Sequence, residues 1–236
     1  RHKHGPAHAS AWGRRVPVAV AIGTDPALTY AATAPLPPVV DEFAFAGLLR
    51  GKPVELMRAK TLDLMVPADA EFVLEGYVDN EDLRVEGPFG DHTGVYTPAE
   101  RFPAFKIECI THRRDPIYPA TVVGKPRQED YYVGEWLQKL LSPIFPLVMP
   151  AVRDLWSYGE TGFHSLAAAV VRERYGREAM SAAFRILGEG QLSLTKFLLA
   201  IDRPMDLTDF PKVLEHLLAR FKPETDLYVF SNLSMD

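Results

Sequence analysis

The rhythm of apolar and polar residues changes once along this chain, near Pro126. Before that point, short apolar runs and alternations carry the two-residue period of strands. Residues 16–22 form an apolar, β-branched run closed by Gly23, which predicts a strand. Asp25 and Pro26 supply a cap and a first helical residue, so a short helix through Ala32 is expected. Pro35, Pro37 and Pro38 break the chain. Asp41 caps a second helix, which runs to Arg50 and stops at Gly51. Strands are expected over 54–59, 71–78, 104–111 and 117–123, separated by Pro, Gly, Asn and Asp. No helical pattern interrupts them, so the stretch reads as a barrel-like or strongly curved sheet.

Beyond Pro126, helical spacing appears. Residues 129–141 predict a helix, and Pro143, Pro146 and Pro150 mark a connection. Residues 164–172 suit a strand, although the run 166–171 also fits a helix. Met180, Ala183, Phe184 and Leu187 make a helical stripe within 177–187. Residues 194–201 read as a buried strand. Over 207–221, Phe210, Val213, Leu214, Leu217, Leu218 and Phe221 follow the i, i+3, i+4, i+7 pattern of an amphipathic helix. Residues 227–230 are expected to form a last strand. From residue 152 onward the order is therefore β-α-β-α-β, which favours parallel pairing with right-handed crossovers. The whole is a mixed α/β (α+β) chain with a boundary near 126–150.

Composition narrows the function classes. The chain has 236 residues, 47% hydrophobic and 24% charged, as in ordinary globular proteins. Its net charge of −5 offers no basic surplus for nucleic acid. No apolar run approaches the ~20 residues of a membrane-spanning helix. Cys109 is the single cysteine, which suits a reducing, cytoplasmic setting. The chain begins at Arg1 with no Met, and its last segment has no closing element, so it is expected to be part of a longer polypeptide.

The most informative stretch is Glu86-Gly-Pro-Phe-Gly-Asp91-His92-Thr93-Gly94. Two acids stand five residues apart on a loop stiffened by Pro88 and sharpened by Gly87 and Gly90. If both face one cavity, burial and repulsion favour a protonated acid at neutral pH. If the loop is a plain hairpin connection, both face water. Glu42, one residue inside a helix, is either a first-turn acid facing the helix dipole or one oxygen ligand of a hard cation. His2, Lys3, His4 and His8 cluster at the start, as a solvated terminus or a metal-binding pair. Lys125 suits a phosphate or plain exposure, and Lys196 within an apolar run needs a partner or an edge position. Cys109 reads as core packing.

Taken together, Glu42-Phe-Ala-Phe-Ala-Gly-Leu-Leu-Arg50-Gly51, Val66-Pro67-Ala68, Glu71-Phe-Val-Leu-Glu75-Gly76-Tyr77 and the 86–94 loop resemble the UbiD-type decarboxylases in order and separation. His164–Leu166, the run from Phe184 to Lys196 and residues 226–236 are similar to the branch associated with menaquinone made by the futalosine route.

The resemblance implies a split β-barrel, flavin-reductase-like cofactor domain whose C-terminal part spans 1–126. A linker helix and connection over 127–151 and an incomplete α/β domain over 152–236 would follow. It implies prenylated FMN bound through a divalent metal, typically Mn2+, with K+ nearby. Glu42 corresponds to the metal-ligating glutamate and also faces the cofactor. Glu86 and Asp91 correspond to the catalytic acids, Asp91 being the proton donor, with His2 and Lys3 approaching the cofactor. A small aromatic or α,β-unsaturated acid is the implied substrate, in menaquinone or ubiquinone biosynthesis. The implied partners are other copies of the chain, in a dimer or hexamer. No nucleic acid is implied, and peripheral membrane contact is left open. The family's catalytic arginine and asparagine metal ligand belong upstream of Arg1. A non-catalytic flavin-binding paralogue and one member of a carboxylase built from several different proteins are the competing readings.

Overall fold

Strand β1 (Arg15–Ile22) opens the described part of the chain. The computed structural model describes residues 15–34, 36 and 40–232. Gly23 turns the chain at φ 71° into α1 (Pro26–Thr33), where the Asp25 carboxylate accepts a hydrogen bond from Ala27 N–H at 2.9 Å. Helix α2 (Glu42–Arg50) begins the same way, with Asp41 accepting from Ala44 N–H at 2.9 Å. Gly51 closes it in the left-handed region, which glycine adopts without penalty. Arg50 forms an ion pair with Asp25 at 2.9 Å and another with Asp69 at 3.4 Å, tying the end of α2 to the start of α1.

Strands β2 (Leu56–Arg58) and β3 (Met65–Pro67) form an antiparallel ribbon. Strands β4 (Phe72–Glu86) and β5 (Glu100–His112) are much longer than the sequence pattern predicts. They make an antiparallel sheet of order β1-β4-β5. The register slips between Glu75 and Gly76, leaving an extra residue on β5. A Cβ at Gly76 would lie 1.9 Å from the Lys106 carbonyl oxygen, so only glycine fits that bulge. Ala59, Val66, Ala70 and Val73 form the small core between sheet and ribbon.

Buried among them is Glu75, 1% exposed. Its carboxylate accepts Lys60 N–H at 2.8 Å, Thr61 N–H at 2.7 Å and the Thr61 hydroxyl at 2.6 Å. Burial alone would raise its pKa, but these donors together hold it below the usual glutamate range. Those bonds pin the 59–64 turn onto the sheet.

Residues 117–123, expected as a strand, form none. Pro116 and Pro119 remove ladder donors, and Ile117 N–H is spent on the Glu71 carboxylate at 3.0 Å.

The second unit runs from Lys125. Helix α3 (Glu129–Leu141) and the short α4 (Phe145–Val148) lead into β6 (Val152–Ser157), a strand that the sequence pattern does not predict. Strand β7 (Leu166–Val171) pairs antiparallel with β6 and parallel with β8 (Phe197–Ile201). The β6–β7 connection is too short for the dozen or more residues of a parallel crossover. The β7–β8 connection contains α5 (Glu178–Leu187) and meets that need. Helix α6 (Phe210–Leu218) follows, N-capped by Asp209, then a single turn, α7 (Pro223–Asp226).

The β-α-β-α-β expectation is therefore corrected at both ends. The sheet gains an antiparallel strand, β6, in front. Among the described residues it has no strand at 227–230, where Leu227, Tyr228, Val229 and Phe230 are all exposed. The Asp226 carboxylate accepts Lys222 N–H at 2.9 Å, which winds the preceding residues into a turn. Packing covers both sheet faces. Ala169 and Val171 meet Ile186, Ala182, Phe145 and Met149. Ala168 and Val170 meet Tyr158, Leu207 and Val213. Double coverage explains the unbroken apolar run of β7.

Candidate active site

The loop after β4 is a small hairpin in its own right. Thr97 N–H donates to the Phe89 carbonyl at 3.0 Å, Asp91 N–H to Val95 at 2.9 Å and Gly94 N–H to Asp91 at 2.9 Å. Gly87 and Gly94 have φ of 88° and 82°, values that favour glycine. A Cβ at Gly87 would also sit 3.1 Å from the Pro98 carbonyl oxygen.

Both oxygens of the Asp91 carboxylate are engaged at the tip. Oδ1 lies 2.7 Å from His92 Nδ1, and Oδ2 accepts the Thr93 hydroxyl at 2.8 Å. Asp91 and His92 side chains are about one-third exposed. Partial burial would raise the Asp91 pKa, yet the Thr93 and His92 bonds outweigh it and hold the carboxyl below the usual aspartate range. This corrects the expectation of a carboxyl kept protonated by burial and a neighbouring acid. The hydrogen-bond donors win because they stabilise the charged form directly.

Glu86 ends β4, exposed, opposite Glu100 on β5. Facing like charges are mildly destabilising, so a cation is welcome there. Glu86 does not share Asp91's hydrogen bonds. Glu42 is half-buried in the first turn of α2. Its carboxylate is the hard oxygen donor a divalent cation takes, but one such group is not a site. Among the described residues, no three His, Cys, Asp or Glu side chains converge to hold a metal. His2 and Lys3 lie outside the described residues. An open cleft of about 570 Å3 runs along α2, lined by Phe43, Gly47, Leu48, Lys52 and Val54, and none of the predicted acids lines it.

Lys125 and Lys196 are exposed, and Cys109 is half-buried in β5 opposite Glu75. His92 and Thr93 hold the Asp91 carboxylate, contacts that spacing does not assign. They stand directly after Asp91, and an acid followed by two hydrogen-bonding side chains is the signal that could have found them. In the second unit, Tyr131 donates to Glu160 at 2.8 Å, and Arg127 pairs with the same carboxylate. Burial pushes the Tyr158 hydroxyl up to about 12, and it donates to the Leu207 carbonyl at 2.9 Å.

Comparison with known proteins covers nearly the whole chain. Residues 1–126 match the 3-octaprenyl-4-hydroxybenzoate carboxy-lyase Rift-related domain, and residues 131–236 match the C-terminal domain of the same family. A Chlamydia pneumoniae protein, named as a subunit of 4-hydroxybenzoate decarboxylase, is 53% identical over 225 residues, 94% of this chain and 38% of that protein. An uncharacterized protein from Archaeoglobus fulgidus is 45% identical over 232 residues, 97% of this chain and 48% of its own length.

Among solved structures, the closed form of Sedimentibacter hydroxybenzoicus vanillic acid decarboxylase superposes with TM-score 0.83 at 30% identity, over 95% of this chain and 48% of that one. An evolved dimeric form of the UbiD-class enzyme HmfF from Pelotomaculum thermopropionicum, in complex with prFMN, gives 0.73 at 28% identity, over 95% and 52%. The chain thus spans about half, or less, of the length of the relatives it matches. With both domain models matched across it, the chain belongs to the UbiD carboxy-lyase family.

Proposed function

We propose that this chain is the proton-delivering part of a prenylated-FMN-dependent decarboxylase that acts on an aromatic or α,β-unsaturated acid. The observation that carries the reading is Asp91, a carboxylate with both oxygens fixed at the tip of a glycine-shaped hairpin, in a chain of this family. When bound, the cofactor supplies an electron sink for the bond to carbon dioxide. The chain's own task is to orient groups and move one proton. As carbon dioxide leaves, its bonding electron pair stays on the substrate carbon, and a proton from Asp91 forms the new C–H bond. Glu86, facing Glu100, invites the family's arginine. Glu42 would hold Mn2+ together with the cofactor phosphate, with K+ nearby and His2 and Lys3 closing on the cofactor. The β1-β4-β5 sheet would be part of the family's split barrel.

Work in menaquinone or ubiquinone biosynthesis, a cytoplasmic setting and assembly into a dimer or hexamer complete the reading. The name of the Chlamydia pneumoniae relative favours one variant, in which the protein works as one member of a decarboxylase complex.

In the full-length protein, Asp91→Asn is expected to cut turnover by about 10²–10⁴-fold with cofactor content unchanged. Solvent deuterium should no longer enter the product. Glu42→Gln is expected to lower bound manganese and cofactor together. Near-normal turnover and exchange in Asp91→Asn would show that another group is the acid.

A further inference from the structure

An acid held in its ionised form is a poor proton donor unless a proton is kept beside it. We propose that His92 is a positioning residue and proton reservoir for Asp91, holding at Nδ1 the proton that Asp91 passes to the substrate carbon. The proposal rests on the reading of Asp91 as the final donor. An ionised carboxylate only accepts hydrogen bonds, so the 2.7 Å contact requires the hydrogen to sit on Nδ1. Thr93 fills Oδ2, so Oδ1 is the oxygen that exchanges a proton with the imidazole. Both side chains remain about one-third exposed, which leaves the pair open to solvent.

Among the described residues, His92 is the ionisable side chain that bonds to Asp91. Gly124 approaches the Asp91 carbonyl, where a Cβ would come within 3.8 Å, and residues 121–124 bring no titratable side chain. In the cycle, the imidazolium form of His92 loses its Nδ1 proton as an O–H bond forms on Asp91, leaving a neutral imidazole. The proton on Asp91 becomes the product's C–H hydrogen, and the imidazole takes a replacement from solvent hydronium, which restores the imidazolium. One proton is consumed and one carbon dioxide released.

The test uses the full-length, cofactor-loaded protein with His92→Asn, whose amide still donates toward Asp91 but cannot shuttle a proton. Turnover is expected to fall about tenfold to a hundredfold, at or below the low end for a proton donor because water slowly replaces the relay. KM and cofactor content should stay the same. The wild-type rate should fall at alkaline pH, and this limb should vanish in the variant. A second readout needs no cofactor. Carbon NMR should show the Asp91 carboxyl titrating nearer the ordinary aspartate range in His92→Ala. An unmoved Asp91 titration, or full turnover with an unaltered pH profile in His92→Asn, overturns the relay. If Asp91→Asn is inactive in that case, the parent reading survives. Normal turnover in Asp91→Asn overturns both.

Discussion

The two units bury different chemistry. Beyond Lys125, the large side chains most completely shut from water are Ile186, Leu207, Val152 and Val213, joined by Glu178. Before it, the corresponding side chain is Glu75, set among alanines and valines. The second unit closes a sheet between aliphatic layers. The first fastens a turn to a sheet with a carboxylate, and it leaves Phe102, Ile107 and Ile110 of β5 partly open to solvent. Even the buried acids differ. Glu178 is held by the Arg174 guanidinium at 2.8 Å, whereas Glu75 takes neutral N–H and O–H donors. Cavity formation should therefore threaten the second unit most. The unit that carries the Asp91 hairpin is built on polar tethers that fix loops in place.

The sharpest way to break this contrast is Ile186→Ala. Ile186 is 0% exposed and touches the layer under β7, so its truncation should cost about 2–5 kcal/mol. Hydrogen exchange should show the loss in residues from 152 onward while β4 and β5 keep their protection. Equal loss of protection in both units would show that they share one cooperative core.

Next comes Glu75→Gln, which places an amide NH2 against donors that expect an acceptor. Leaving buried donors unsatisfied costs about 1–3 kcal/mol, here confined to the 59–64 turn and its sheet. The variant also tests a pH dependence. Glu75 titrates lower when folded than unfolded, so the unfolded chain binds its proton first as pH falls. Its contribution is full above the ordinary glutamate value and is lost as pH drops through the folded one. Acid unfolding of the first unit should be less steep in Glu75→Gln, whereas a variant as acid-sensitive as wild type would disprove the tether.

The smallest effect should come from the caps. Asp41→Ala in the first unit and Asp209→Ala in the second each remove one N-cap acceptor, at 2.9 and 3.3 Å. Each should lower stability by about 1 kcal/mol, read by thermal melting. Caps are local, so this is the one perturbation to which both units should respond alike.

What the sequence determined by itself was local. Asp25-Pro26, Asp41 with Gly51, and the apolar stripe of Phe210, Val213 and Leu217 announced helices that the structure contains, because caps and amphipathic spacing act within a few residues. The run 166–171 was legible only as strand or helix, and pairing with β6 and β8 made it a strand. The Gly- and Pro-rich frame of the 86–94 hairpin was legible too, as was the family. Contacts across the chain decided the rest. The strand β6 was hidden because its pattern becomes a strand only when β7 offers an antiparallel edge. The stretches 117–123 and 227–230 had strand composition but found no ladder; over the first, prolines and the Glu71 carboxylate took the backbone donors. The lowering of the Asp91 pKa, and with it the role proposed for His92, comes from hydrogen bonds to Thr93 and His92. Spacing alone puts residues near one another, but only the folded turn aims Nδ1 and a hydroxyl at the two oxygens of one carboxylate.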